Sequence, residues 1–233
     1  MRLDVALVER GLAKSRTAAN EIISSGNATV NGVIVFKPSF NVIDGAVLEA
    51  LQDEWVGRGG KKLDAFLSSC ALDINGTECL DVGASTGGFT QALLKYGAKQ
   101  VVALDVGTNQ LHISLKQDIR VKSIENIDVR DYKADKFDIV VCDLAFISIE
   151  KILADLIRLS KSNIIILFKP QFEVGKLAKR DRKGVVVDAY AIDFATFNFE
   201  MLLKQNNLTI IKSADSVLAG KEGNIERFYH ITK

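Results

Sequence analysis

Apolar and polar positions along this chain change rhythm near residue 57. Before that point the periods are short. Leu3, Leu7 and Val8 share one face of a short helix that Gly11 ends. Ser15 stands where a helix cap belongs, with Ala18, Ala19, Ile22 and Ile23 on the inner face of the turns that follow and Gly26 just beyond them. Two β-rich runs, 28–30 and 33–36, flank Asn31-Gly32, a pair that tolerates the positive φ angles of a tight hairpin. Asp44-Gly45 makes another turn before Val47 and Leu48. This pattern predicts a small α+β unit over 1–50 and a linker over 51–60. So small a unit buries only a modest core of its own.

From 61 to 233 strands and helices alternate. The apolar runs predict strands at 78–82, 101–104, 121–124, 137–142, 164–168, 208–213 and 227–231, and helices at 62–70, 89–96, 149–159 and 191–204. Uniformly apolar strands between helices imply a parallel sheet buried on both faces. The predicted fold class is therefore α/β: a doubly wound, mostly parallel, Rossmann-like sheet behind a small N-terminal α+β domain.

Composition narrows the function. With 48% hydrophobic and 25% charged residues the chain reads as globular, not disordered or coiled coil. Thirty basic against 29 acidic residues leave a net charge of +1, so a nucleic-acid site has to be a local patch. The longest strictly apolar run, 164–168, is far shorter than the ~20 residues a membrane helix needs. Asp4 and Glu9 interrupt the first apolar stretch, which speaks against a signal peptide. Cys70, Cys79 and Cys142 are odd in number and lack CxxC spacing, so they read as reduced, buried thiols of a cytoplasmic protein. His112 and His230 are the only histidines, and no metal site is expected.

The sharpest local motif is DVGASTGGF at 81–89, running from the first strand of the alternating region into a helix. Glycines at 83, 87 and 88 let a backbone turn tightly and approach a ligand. The spacing is not that of a GxGxxG dinucleotide fingerprint, which disfavours a pyrophosphate cradle and an NAD-linked oxidoreductase. Asp81 would repel a pyrophosphate but suits a cationic amino group, as S-adenosylmethionine carries. Asp105 ends the second strand at about the ~20-residue offset where a carboxylate takes ribose hydroxyls. Asp128 follows the third strand, where an adenine amino group could be met. The expected cofactor contacts are thus Asp81, Gly83, Ser85, Thr86, Gly87, Gly88, Phe89, Asp105, Val106, Asp128 and Asp143. The plainer reading is a tight strand–helix turn with acidic helix caps.

Asp143 follows the fourth strand, and Lys169 follows the five apolar residues of the fifth. Neighbouring strands lie ~4.8 Å apart, so an acid and a lysine at their ends can meet. A lysine at the end of a buried strand is costly unless paired or functional. It is a candidate base, with a structural ion pair as the competing reading.

Taken together, RGGKKL at 58–63, LDVGASTGGFT at 80–90, DVG at 105–107, DLAFIS at 143–148, KPQFEVGK at 169–176 and GNIE at 223–226 resemble the TlyA family. Its members are haemolysin-like ribosomal RNA methyltransferases with an FtsJ-like catalytic domain. The resemblance runs through essentially the whole chain. It implies S-adenosylmethionine-dependent 2′-O-methylation of a ribose, with cytidine as the expected nucleoside. It also implies a Lys-Asp-Lys-Glu tetrad, which maps by motif to Lys62, Asp143, Lys169 and Glu226, with Lys61 as the neighbour of Lys62. On the residues alone, Lys62 and Glu226 read as solvated surface charges.

Residues 2–50 resemble the S4-like RNA-binding domain, through Arg2-Leu3-Asp4, Lys14-Ser15-Arg16, GNATVNG at 26–32 and Lys37-Pro38. The implied partner is ribosomal RNA or a ribosomal subunit, met by Arg2, Lys14, Ser15, Arg16, Asn20 and Lys37, with Arg58 added from the second domain. A guanidinium and backbone N–H groups at a helix start together suit a phosphate. No arm precedes Arg2, which within the family points to the large-subunit 23S RNA over the 16S RNA. Between Glu173 and Asp188 lie Lys176, Lys179, Arg180, Arg182 and Lys183, a segment that could steer RNA or simply be a solvated charge run. An inactive RNA-binding assembly factor and a membrane-active haemolysin stay open as alternatives.

Overall fold

The computed structural model describes residues 1–50 and 55–233, in two units, Met1–Trp55 and Val56–Lys233. Residues 51–54 of the expected linker lie outside the described residues.

In the first unit the Ser15 hydroxyl accepts from the Ala18 amide at 3.2 Å and opens helix α2 (Arg16–Ser24), as its position implied. Helix α1 (Leu3–Glu9) packs on α2, and Leu3, Leu7, Ala19 and Ile23 bury themselves against Ala28 and Leu48. Strand β1 (Ala28–Val30) pairs antiparallel with β2 (Val33–Ile34) and β3 (Leu48–Ala50). Asn31 and Gly32, with φ of 52° and 77°, form the tight hairpin between the first two. Strand β2 stops two residues short of the expected end.

The second unit is a seven-stranded sheet in the order β6-β5-β4-β7-β8-β10-β9. Its parallel strands are β4 (Glu78–Val82), β5 (Gln100–Asp105), β6 (Val121–Glu125), β7 (Phe137–Cys142) and β8 (Ser160–Phe168). Strand β10 (Arg227–Thr232) runs antiparallel to both β8 and β9 (Thr209–Asp215) and sits between them.

Helices cover both faces, as uniformly apolar strands require. Leu80, Val82, Val140, Cys142, Ile164, Ile166 and Phe168 pack with α6 (Leu153–Leu159) and α8 (Ala189–Gln205). The residues between them point the other way, toward α3 (Arg58–Leu67) and α4 (Gly88–Lys95). On that side Phe66 and Phe89 stack on Phe228, with ring centroids 4.7 and 5.9 Å apart. The expected helix over 149–159 is split into a single 3-10 turn, Ile149–Lys151, and α6. A one-turn helix, α5 (Ile113–Lys116), follows β5. Pro170 ends β8 and opens α7 (Pro170–Glu173), where its missing N–H costs nothing.

Helix α3 begins at Arg58, four residues before the expected start, so 58–60 of the expected linker are helical. Gly59 and Gly60 are poor helix formers, and tertiary packing overrides them. A Cβ on Gly88 would lie 2.6 Å from the Gly60 amide nitrogen, so α3 and α4 touch backbone to backbone there.

Candidate active site

The pleat decides which strand-end side chains meet. Cys142 and Phe168 face α6 and α8, so the next residues, Asp143 and Lys169, turn toward α3 and α4. The β10–β8 register pairs Arg227 with Phe168, which brings Glu226 to the level of Lys169. Asp81, one residue from the end of β4, faces the same side. Lys62 reaches this edge from the second turn of α3.

The four expected tetrad residues come together as two ion pairs. Lys169 Nζ lies 2.5 Å from Asp143 Oδ1, with both side chains only slightly exposed. Lys62 Nζ lies 2.6 Å from Glu226 Oε2, and both side chains are buried. Lys61 is exposed, so the geometry distinguishes it from Lys62. Gln171 Nε2 donates to Glu226 Oε1 at 3.0 Å.

Asp81 is fully buried. The Thr90 hydroxyl donates to its Oδ2 at 2.7 Å, while Oδ1 is buried without a hydrogen-bond partner. Burial pushes this carboxyl up to about 7, against the Thr90 hydrogen bond, with the Asp143 charge adding to the rise. An orphaned carboxylate oxygen is costly in a folded interior and is suited to a cationic or N–H donor.

The rest of the expected cofactor set divides. Gly83 has φ of 85°, and a Cβ there would lie 2.7 Å from the Asp143 carbonyl oxygen, so this glycine lets the β4 and β7 loops close on each other. The glycines at 87 and 88 likewise serve the protein's own packing: a Cβ at Gly87 would run into Leu111 and Leu115. The Phe89 side chain lies in the core, not in a ligand site, because the first turn of α4 presses it against Phe228. Asp105 accepts from the Ser85 and Gly107 amides, each at 2.7 Å, and so braces the glycine turn. Thr86 supplies a carbonyl to the His112 amide. Asp128 holds Arg130 through both oxygens, at 2.9 and 2.7 Å, and that hydrogen-bonded guanidinium lowers its carboxyl. Beside these acids lies a cleft of about 160 Å³, lined mainly by apolar groups that include Leu104, Val106, Ile127 and Leu144. Asp105 and Asp128 are among its lining residues, so a mainly apolar wall carries two carboxylates.

Two features beside the site escaped sequence reasoning. Phe146 is 91% exposed with φ of 65°, an outlier for a bulky residue, and its ring lies tilted against Phe172 with centroids 5.1 Å apart. An aromatic three residues beyond the strand-end acid was the available signal. Glu173 accepts from the Ser148 hydroxyl at 2.8 Å and the Ile149 amide at 3.0 Å, so it anchors the loop that carries Phe146; burial raises its carboxyl.

In the first unit Arg2 and Arg16 both converge on Asp4, which is fully buried: Arg2 Nε at 2.9 Å and Arg16 Nη2 at 2.8 Å. Hydrogen bonds from Arg2 and then Arg16 hold the Asp4 carboxyl far below the usual range. Both arginines keep half or more of their side chains exposed, and Lys14, Ser15, Asn20 and Lys37 are exposed as well. Arg58 belongs to the second unit, where its guanidinium donates to the Ala219 carbonyl at 2.6 Å. Among the described residues no group of three or more His, Cys, Asp or Glu side chains is arranged to hold a metal ion.

Comparison with known proteins agrees with this architecture. The FtsJ-like methyltransferase model matches residues 55–233, and the S4 domain model matches 1–48. The chain is 39% identical to the 23S rRNA (cytidine-2′-O)-methyltransferase TlyA of Campylobacter jejuni, over 100% of both chains. It is also 39% identical to the 16S/23S rRNA (cytidine-2′-O)-methyltransferase TlyA of Mycobacterium tuberculosis, over 97% of this chain and 88% of that one. A solved structure described as a hemolysin, from Streptococcus thermophilus, superposes with a TM-score of 0.75 at 32% identity, covering 100% of this chain and 88% of that chain. An S4 domain over 1–48 followed by an FtsJ-like methyltransferase over 55–233, with TlyA relatives 39% identical along essentially the whole chain, places it in the TlyA family.

Proposed function

We propose that this protein methylates the 2′-hydroxyl of a cytidine in ribosomal RNA, using S-adenosylmethionine, with 23S RNA favoured over 16S RNA. The observation that carries the reading is the pair of lysine–acid contacts, Lys169–Asp143 and Lys62–Glu226, beside the orphaned oxygen of Asp81. The preference for 23S RNA is supported by the Campylobacter relative, matched over the full length of both chains.

When bound, S-adenosylmethionine supplies a sulfonium methyl that passes to the 2′-oxygen as its bond to sulfur breaks. The chain's own groups do the rest. Asp81 Oδ1 receives the donor's ammonium. Asp105 would take ribose hydroxyls on its remaining lone pairs, and Val106, Ile127, Leu144 and Asp128, which line the neighbouring cleft, would hold the adenine. Lys169 Nζ takes the proton that leaves the 2′-hydroxyl as the methyl–oxygen bond forms. Asp143 orients that amine and favours positive charge at the donor. Lys62 and Glu226 hold the reacting hydroxyl and the base in line, and much of the rate comes from that alignment. The first unit meets RNA phosphates through Arg2, Lys14, Arg16 and Lys37, aided by Ser15, Asn20 and, from the second unit, Arg58.

Mass mapping of ribosomal RNA from cells with and without the protein tests the reaction. A cytidine 2′-O-methyl group is expected to vanish with the gene; an unchanged map sinks the proposal. Lys169→Ala is expected to lower methyl transfer by about 10²–10⁴-fold while cofactor and RNA affinities hold. Lys169→Arg is expected to be nearly as inactive, because a guanidinium cannot accept the proton. Recovery of most activity in the arginine variant removes the general-base role. An inactive assembly factor would leave the map unchanged and bind no S-adenosylmethionine. Among the described residues no helix is long and apolar enough to cross a membrane.

A further inference from the structure

Between the tetrad and the basic segment stands Gln171. Its side chain donates to Glu226 Oε1 at 3.0 Å, while Lys62 Nζ holds Glu226 Oε2 at 2.6 Å, so both oxygens of a buried carboxylate are fixed. Gly220 closes the remaining side: a Cβ there would lie 2.7 Å from Glu226 Oε1. The Gln171 backbone is held in turn. Arg180 Nη2 donates to the Gln171 carbonyl at 2.9 Å and to the Gly175 carbonyl at 3.3 Å.

Arg180 belongs to a small ordered hairpin. An isolated bridge joins Arg180 to Val186, the Val187 amide donates to the Lys179 carbonyl, and Asp181 accepts from the Lys183 and Val185 amides. The same hairpin grips the tetrad by a second route. The Val186 amide donates to Asn224 Oδ1 at 2.9 Å, and Asn224, two residues before Glu226, is buried. The outer side of this hairpin carries the exposed cations Lys179, Arg182 and Lys183.

We propose that Gln171 is a positioning residue for the tetrad, and that the basic hairpin 179–187 holds it in place through Arg180, so that this hairpin and the alignment of Glu226 with Lys62 are mechanically one unit. The methyl-transfer part of this claim rests on the reaction proposed above. The physical reason is the buried carboxylate. Without the Gln171 donor, Oε1 of Glu226 has no hydrogen bond, and the group rotates to seek one.

Gln171→Leu keeps the bulk and removes the donor. It is expected to lower kcat about 10–100-fold, with KM for RNA and S-adenosylmethionine affinity within twofold of wild type. Gln171→Glu sharpens the test. In its protonated form it donates to Glu226 as the amide does; ionised, it repels. The ratio of its kcat to that of wild type is expected to rise as pH falls. Arg180→Ala is expected to lower kcat as well, because it frees the Gln171 backbone. A kcat for Gln171→Leu within threefold of wild type, or a loss confined to KM, overturns the proposal.

A second arm needs no substrate and so separates this claim from the reaction itself. In a double-mutant cycle read by Tm, Gln171→Leu added to Glu226→Leu, which leaves no acceptor for Gln171, is expected to shift Tm far less than it does alone. Additive shifts overturn the positioning role, whether or not the protein methylates RNA.

Discussion

Among the described residues each unit buries one aspartate completely, and the two titrate in opposite directions. Asp4 is met by Arg2 and Arg16 and is held far below the ordinary carboxylate range. Asp81 is met by Thr90 and, among the described residues, by no cation, and burial lifts it to about 7. Asp4 lies just beneath two half-exposed arginine side chains, whereas Asp81 lies deep in the core of its unit, so depth and partners differ together. A buried acid that neighbouring cations neutralise titrates low, and one left without a cation titrates high.

The largest effect that bears on this contrast is expected from Asp81→Asn. It keeps the shape, removes the charge, and is expected to weaken S-adenosylmethionine binding at least 100-fold by calorimetry. The same substitution is expected to raise Tm of the ligand-free protein at pH 8, because it removes an uncompensated buried charge. Unchanged affinity would erase the distinction between the two aspartates.

Acidity gives the next effect. The folded protein keeps the Asp81 proton up to about pH 7, whereas the unfolded chain releases it near pH 4. The unfolded state thus binds fewer protons across that window, and this group's contribution to stability falls as pH rises through it, then levels above pH 7. Asp4 has the opposite sign. Its contribution is present above pH 4 and is lost as pH falls toward its depressed folded value. S-adenosylmethionine affinity is expected to increase up to about tenfold per pH unit below 7 and to plateau above it. A flat affinity profile from pH 5 to 8 would show that the ammonium does not meet Asp81.

A smaller effect is expected from Asp4→Asn. Its arginine partners are half exposed and recover solvent when released, so about 1–2 kcal/mol of stability is expected to go, read by denaturant unfolding of the first unit. Loss confined to RNA binding, with stability intact, would make Asp4 an RNA-site residue and not a structural one. The smallest effect belongs to Arg16→Ala. It is expected to weaken RNA binding modestly and to reduce the salt slope by about 1, as loss of one phosphate contact does. An unaltered slope would leave Arg16 as a partner of Asp4 alone.

Much of the scaffold was legible because its rules are local. The Ser15 cap, the Asn31-Gly32 hairpin and the apolar runs of β4, β7 and β8 each announce themselves within a few residues. What the chain hides is set by distant partners. The start of α3 runs through two glycines because α4 approaches closely, which no propensity records. The antiparallel direction of β10 leaves no mark in its apolar pattern. Glu226 and Lys62 read as surface charges until that strand brings them together, and only the family resemblance named them beforehand. The packing of Phe89 on Phe228, far along the chain, leaves no mark in the glycine motif that carries it.

The insertion of β10 between β8 and β9 also sets an order of assembly. The turn from β4 to β5 needs only neighbouring chain, but the Lys62–Glu226 pair joins residues 164 apart and waits for β10 to enter its slot. Contacts of such long sequence separation form late, after most loop-closure entropy has been lost. The glycine turn and its Asp105 brace are therefore expected to form ahead of the Lys62–Glu226 pair, an order that hydrogen exchange during refolding reads residue by residue.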